Sequence, residues 1–160
     1  MTVTVAVLRE RAPGERRLAL VPALVGKYAA LGARILLERG AGDAAGLPDS
    51  AFDGVEVVAT DALAGADLVL CVQPPPADVV AGLKTGAIVV GFLAPHRAQD
   101  VLDAMSARGA AAFAMEKVPR ISRAQAMDAL SSQASVAGYS AVLIGANILP
   151  RFLPMLTTAA

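Results

Sequence analysis

Thr2 to Leu8 is a run of β-branched and aliphatic residues, which predicts a first strand. The charged stretch Arg9 to Arg17 follows, with Pro13-Gly14 as a turn signal inside it. Pro22 stands at the favoured first position of a helix. Leu24, Val25, Tyr28 and Leu31 then recur at helical spacing, and Gly32 ends the run. Arg34 to Glu38 reads as a second strand, so strand, helix and strand make a parallel crossover unit. Further short strands are expected over Val55 to Val58 and Asp67 to Val72, with a short helix over Asp61 to Ala64 between them. Gln73-Pro74-Pro75-Pro76 is a rigid extended joint. A helix over Asp78 to Leu83 leads to Ala87 to Leu93, an almost unbroken apolar run that predicts a strand buried on both faces. Gln99 to Arg108 is amphipathic, with Val101, Leu102 and Met105 on one side and Gly109 as its cap; Ala111 to Met115 is the last strand. The pattern is α/β, a Rossmann-like, mainly parallel sheet with helices on both faces, ending in a long inter-domain helix.

That last helix is Ala129 to Leu149, which carries no charge and is long enough to raise a transmembrane span. Ser131, Ser132, Gln133, Ser135 and Asn147 are costly in lipid, and a packed helix joining two domains is expected instead. Pro150 and Pro154 end it.

Composition narrows the function classes. Hydrophobic residues make up 56% of the 160 and charged residues 18%, with zero net charge, so the chain is globular. Nucleic acid is not an expected partner, because no basic excess is available to neutralise phosphate. The single cysteine, Cys71, and single histidine, His96, rule out an internal disulfide and a Cys- or His-rich metal site. Cys71 lies within Leu68 to Val72 and is expected to be a small buried hydrophobe. His96, after Pro95, is expected in a surface loop. The N-terminus lacks a signal-peptide pattern, and a reducing, cytoplasmic setting fits.

Gly40-Ala41-Gly42-Asp43-Ala44-Ala45 fits G-x-G-x-x-A after a strand and imitates a dinucleotide fingerprint. The fingerprint must open a helix whose N-terminus faces a pyrophosphate. Gly46-Leu47-Pro48-Asp49 breaks the segment at once, so a structural loop is expected.

The chemistry concentrates between Met115 and Tyr139. Pro119 disfavours helix at Val118, so Arg120 opens a fresh segment. Ser122-x-x-Gln125 has capping-box spacing, and Asp128 is the expected N-cap of the long apolar run. Arg120, Gln125 and Asp128 thus sit on one polar elbow. Arg and Asp can pair, and Gln offers a donor and an acceptor to an amide. Composition alone favours a capped loop with surface ion pairs.

The segment Val118 to Tyr139, with Pro150 to Ala160, Arg16 to Pro22 and the Gly40-Ala41-Gly42 loop, resembles the NAD(H)-binding component of proton-translocating nicotinamide nucleotide transhydrogenases over essentially the whole chain. The alanine dehydrogenases are relatives with a similar beginning. The resemblance implies that Arg120, Gln125 and Asp128 meet the nicotinamide end of NAD(H), with Ser131 as a further polar contact. Ile121, Ser122, Ala126 and Met127 would complete the cofactor-binding set. No catalytic side chain and no metal ligand is implied. It implies residues 1–128 as a first lobe and 129–160 as a linking helix and the start of a second NAD-binding lobe whose glycine fingerprint lies beyond Ala160. It implies hydride transfer between NAD(H) and NADP(H) coupled to proton translocation, and little activity for this chain alone. A homodimer is implied, with membrane and NADP(H)-binding subunits as partners, on the cytoplasmic face of the inner membrane. In the alanine dehydrogenases an arginine in the position of Arg17 holds a substrate carboxylate. For Arg17 here, a solvated or ion-paired loop residue is expected. Those enzymes also carry a lysine near Val72-Gln73-Pro74-Pro75, where this chain has none before Lys84. The other readings are an alanine-dehydrogenase-like lobe and a non-catalytic docking or dimerisation module.

Overall fold

The computed structural model of the protein describes residues 2–151. It divides into two compact units, Met1–Lys117 and Val118–Ala160.

The first unit is a six-stranded sheet in which every neighbouring pair is parallel. The chain runs β1 (Thr4–Val7), α1 (Pro22–Ala30), β2 (Arg34–Glu38), β3 (Glu56–Val58), β4 (Leu68–Leu70), α2 (Ala77–Ala81), β5 (Ile88–Gly91), α3 (Gln99–Ala107) and β6 (Ala111–Ala114). The spatial order is β3-β2-β1-β4-β5-β6. The chain winds outward from β1 on one side and then restarts at β4 on the other. The strand order therefore reverses at the β1/β4 seam, whose carboxyl end is the ligand crevice of a doubly wound sheet.

Alternation along β1 explains why helices cover both faces. Val5 and Val7 join Ile35, Leu37 and Val25 of α1 in one core. Ala6 and Leu8 join Val69, Val89, Val80 of α2, and Val101 and Met105 of α3 in the other. The Rossmann-like sheet with helices on both faces is thus as expected.

Several boundaries differ from the expected ones. The first strand begins at Thr4, and the Asp67 to Val72 strand contracts to Leu68–Leu70. Asp61 to Ala64 belongs to a 3-10 helix, Thr60–Gly65, rather than an α-helix. The strand at Ile88–Gly91 is not buried throughout, since Ile88 is 38% exposed. Ile88 lies at the start of its strand, near the rim of the sheet.

In the second unit a 3-10 helix, Ser122–Met127, leads into α4 (Ala129–Ile148). The helix stops where Leu149 turns extended ahead of Pro150, as the residue before a proline does. Among its described residues none is buried, and Val136, Tyr139, Ile144 and Ile148 are exposed. No described helix is long and apolar enough to cross a membrane. The expected break at Pro154 lies outside the described residues.

Candidate functional site in the polar elbow

The elbow is built from local backbone preferences. Ile121 is extended and starts the 3-10 turns; Ser122 makes no side-chain cap bond, so the predicted capping box does not form. The cap falls one residue early because the segment after Pro119 enters the turn at Ile121. Asp128 behaves as expected of an N-cap. Its carboxylate accepts the Ser131 amide at 2.9 Å and the Ser131 hydroxyl at 2.6 Å. These two bonds, the hydroxyl foremost, hold the Asp128 carboxyl below its usual range.

A pocket of about 290 Å³ opens in the elbow, lined by Arg120, Ile121, Ser122, Gln125 and Asp128. Five of the eight expected residues are therefore brought together. Ala126 and Met127 are exposed and do not line it. Ser131 is committed to Asp128 rather than facing the pocket as a separate contact. Arg120 is 65% exposed and its Nε lies 4.0 Å from Asp128 Oδ2, a loose pair rather than a lock. Among the described residues the Gln125 side chain shows no hydrogen bond. The pocket thus offers an uncommitted amide beside a loosely held cation. The Gln125 amide can give one hydrogen bond and take another.

The glycine loop has no such opening. Gly40 has φ +69° and donates its amide to the Asp49 carboxylate at 3.0 Å. A Cβ on Gly42 would lie 2.2 Å from the Leu47 carbonyl oxygen. The three-residue 3-10 helix Asp43–Ala45 follows, and Arg16 Nε donates to the Ala44 carbonyl at 3.0 Å. The second glycine is needed for Leu47, not for a pyrophosphate. The loop is structural, as its sequence context predicts.

At the carboxyl end of the β1/β4 seam the first unit carries a network that sequence reading passed over. Glu10 accepts the amides of Val72 at 2.6 Å and Gln73 at 3.0 Å. Glu15 accepts Arg17 Nη2 at 2.6 Å, Arg17 Nε at 2.8 Å and Gln73 Nε2 at 2.8 Å. Bonding to Arg17 brings the Glu15 pKa down to about 2. The Arg17 guanidinium also lies over the Phe92 ring, 5.8 Å from its centroid. Arg17 is thus an ion-paired loop residue, as expected. Cys71 is buried beside this network, and burial pushes its thiol up to about 12, which makes it unreactive. His96 is exposed, as expected. Among the described residues there is no cluster that would hold a metal ion.

Residues 6–137 match the family model for the alanine dehydrogenase/PNT N-terminal domain. The chain belongs to this family. An NAD(P) transhydrogenase alpha-subunit protein of Rhodospirillum rubrum is 42% identical over 98% of this chain and 43% of its own length. Alanine dehydrogenase 1 of Staphylococcus aureus is 28% identical over 89% of this chain and 38% of its own. Among solved structures, the transhydrogenase from Sinorhizobium meliloti superposes with a TM-score of 0.91 at 39% identity, covering 98% of this chain and 48% of that one. The family is one of oxidoreductases, and these two transhydrogenase relatives are similar to this chain at higher identity than that alanine dehydrogenase. The chain spans less than half the length of these relatives.

Proposed function

We propose that this chain is the N-terminal lobe of the NAD(H)-binding component of a proton-translocating transhydrogenase. In the whole assembly NAD(H) would exchange a hydride with NADP(H) held on a partner subunit, coupled to proton translocation. The observation that carries the reading is the elbow pocket in a chain that is 42% identical to a transhydrogenase alpha subunit. The bound cofactor supplies the hydride chemistry, so no protein nucleophile or metal is called for.

The work of this chain is orientation. Gln125 fits the carboxamide as both donor and acceptor, and Arg120 presents a cation beside it. Asp128 and Ser131 fix the pocket wall to the start of α4, and Ile121 and Ser122 complete the lining. A homodimer, membrane and NADP(H)-binding subunits as partners, and a place on the cytoplasmic face of the inner membrane belong to the same proposal. The absence of a lysine near Gln73 favours it over an alanine-dehydrogenase-like lobe.

Replacing Gln125 by Ala in the complete assembly tests the role. The expected result is a hydride-transfer rate reduced on the order of a hundredfold with NADH affinity nearly unchanged, the signature of lost positioning. Equal loss in rate and affinity would contradict it.

A further inference from the structure

In a doubly wound sheet with this strand order, an anionic ligand is expected in the crevice at the carboxyl end of the β1/β4 seam. There the turn after the first strand is normally glycine-rich, so that backbone amides meet a phosphate. Here the turn after β1 begins Arg9-Glu10-Arg11. Glu10 reaches across the seam and places one carboxylate oxygen on the Val72 amide at 2.6 Å and the other on the Gln73 amide at 3.0 Å. Two successive backbone N–H groups converging on one carboxylate are the arrangement of an anion-binding concavity. The anion is supplied by the chain itself. Glu15 adds a second carboxylate from the same turn, held between Arg17 and Gln73.

We infer that the seam crevice is a self-occupied anion site. Glu10 fills the place where such a sheet takes an external phosphate or carboxylate, and thereby closes the crevice to both. Three observations support this independently of the nicotinamide reading. The amides that would meet the ligand are already satisfied, at charge-assisted distances. Glu15 brings further negative charge to the same turn and raises the cost of an incoming anion. The one cation of the turn that faces this network, Arg17, is paired with Glu15. Where the proposed function holds, it follows that the charged portion of the dinucleotide is gripped outside this unit, which leaves the elbow the nicotinamide end alone.

Glu10→Ala removes a fragment the size of acetate, so acetate is the probe. The experiment follows thermal unfolding and the amide resonances of Val72 and Gln73 in the full chain, with chloride as the control salt. For the wild-type chain, neither acetate nor pyrophosphate is expected to move those resonances or the unfolding midpoint. For Glu10→Ala, the midpoint is expected to fall by about 5 °C. Acetate should restore it saturably, with shifts at Val72 and Gln73. Glu10→Gln, which keeps the shape and one acceptor, should fold without acetate and gain nothing from it.

Pyrophosphate shifting the Val72 and Gln73 amides of the wild-type chain would overturn the inference. So would a Glu10→Ala chain indifferent to acetate, or one that fails to fold with and without it. None of these readouts involves a nicotinamide, so their failure is separate from failure of the proposed function.

Discussion

Glu15 shows how much one side chain organises. Its carboxylate ties Arg17, Gln73 and the amides of Arg16 and Arg17 into one loop. Its pKa falls from the ordinary 4.5 to about 2 in the folded chain, chiefly through the bond to Arg17. A depressed folded-state pKa means the contribution is complete above about 4.5 and is lost as pH falls towards 2. Wild type is therefore expected to be more stable than Glu15→Gln at neutral pH, with the gap closing across that window. Urea unfolding at stepped pH measures it. A gap that stays constant down to pH 2 would mean the carboxylate charge is not its source. Glu38 has a similar role on the neighbouring strand, buried and bonded to Arg11, Thr60 and the Arg9 amide. Glu116 takes the amides of Leu93 and Ala94, where Ala94 has φ +43° without being glycine. Carboxylates accepting backbone amides thus recur along this edge of the sheet.

Elements that rest on local pattern were legible in the sequence, and those that rest on distant partners were not. The Pro22 helix start and the strand Arg34–Glu38 fall where periodicity places them. The strand at Leu68–Leu70 is shorter than its apolar run, because pairing with the neighbouring strands β1 and β5 decides where a ladder ends. The elbow pocket was legible through family resemblance joined to cap chemistry at Asp128. The capping box was not realised, since spacing alone does not say which residue enters the turn. The Glu10 and Glu15 bonds join residues 58 to 63 positions apart, and no local signal announces them. Two glycines test the element-level account with opposite signs. Gly26 lies inside α1 with open space where a Cβ would go, so Gly26→Ala should stabilise by about 0.5–1 kcal/mol. Gly42→Ala drives a methyl against the Leu47 carbonyl and should cost about 1–3 kcal/mol. Denaturant midpoints at unchanged slope would show both. A neutral Gly42→Ala would remove the structural reading of the glycine loop.

At the scale of the molecule, each unit has a distinct chemical character. The first unit is an open parallel sheet whose seam crevice is filled by its own carboxylates. The second carries the uncommitted polar groups, Gln125 and Arg120, and a charge-free helix with exposed Val136, Tyr139, Leu143 and Ile148. The division agrees with membership of a family whose relatives are more than twice as long as the matched segment. It also puts the central claim on a few residues. The most direct test is an amide-resolved titration of the 160-residue chain with NADH, with ADP-ribose, which lacks the nicotinamide, as the control. The account predicts saturable shifts at Arg120, Gln125 and Asp128 with NADH, none with ADP-ribose, and silence at Gly40 to Gly46. An unresponsive elbow, or shifts centred on the glycine loop, would contradict it.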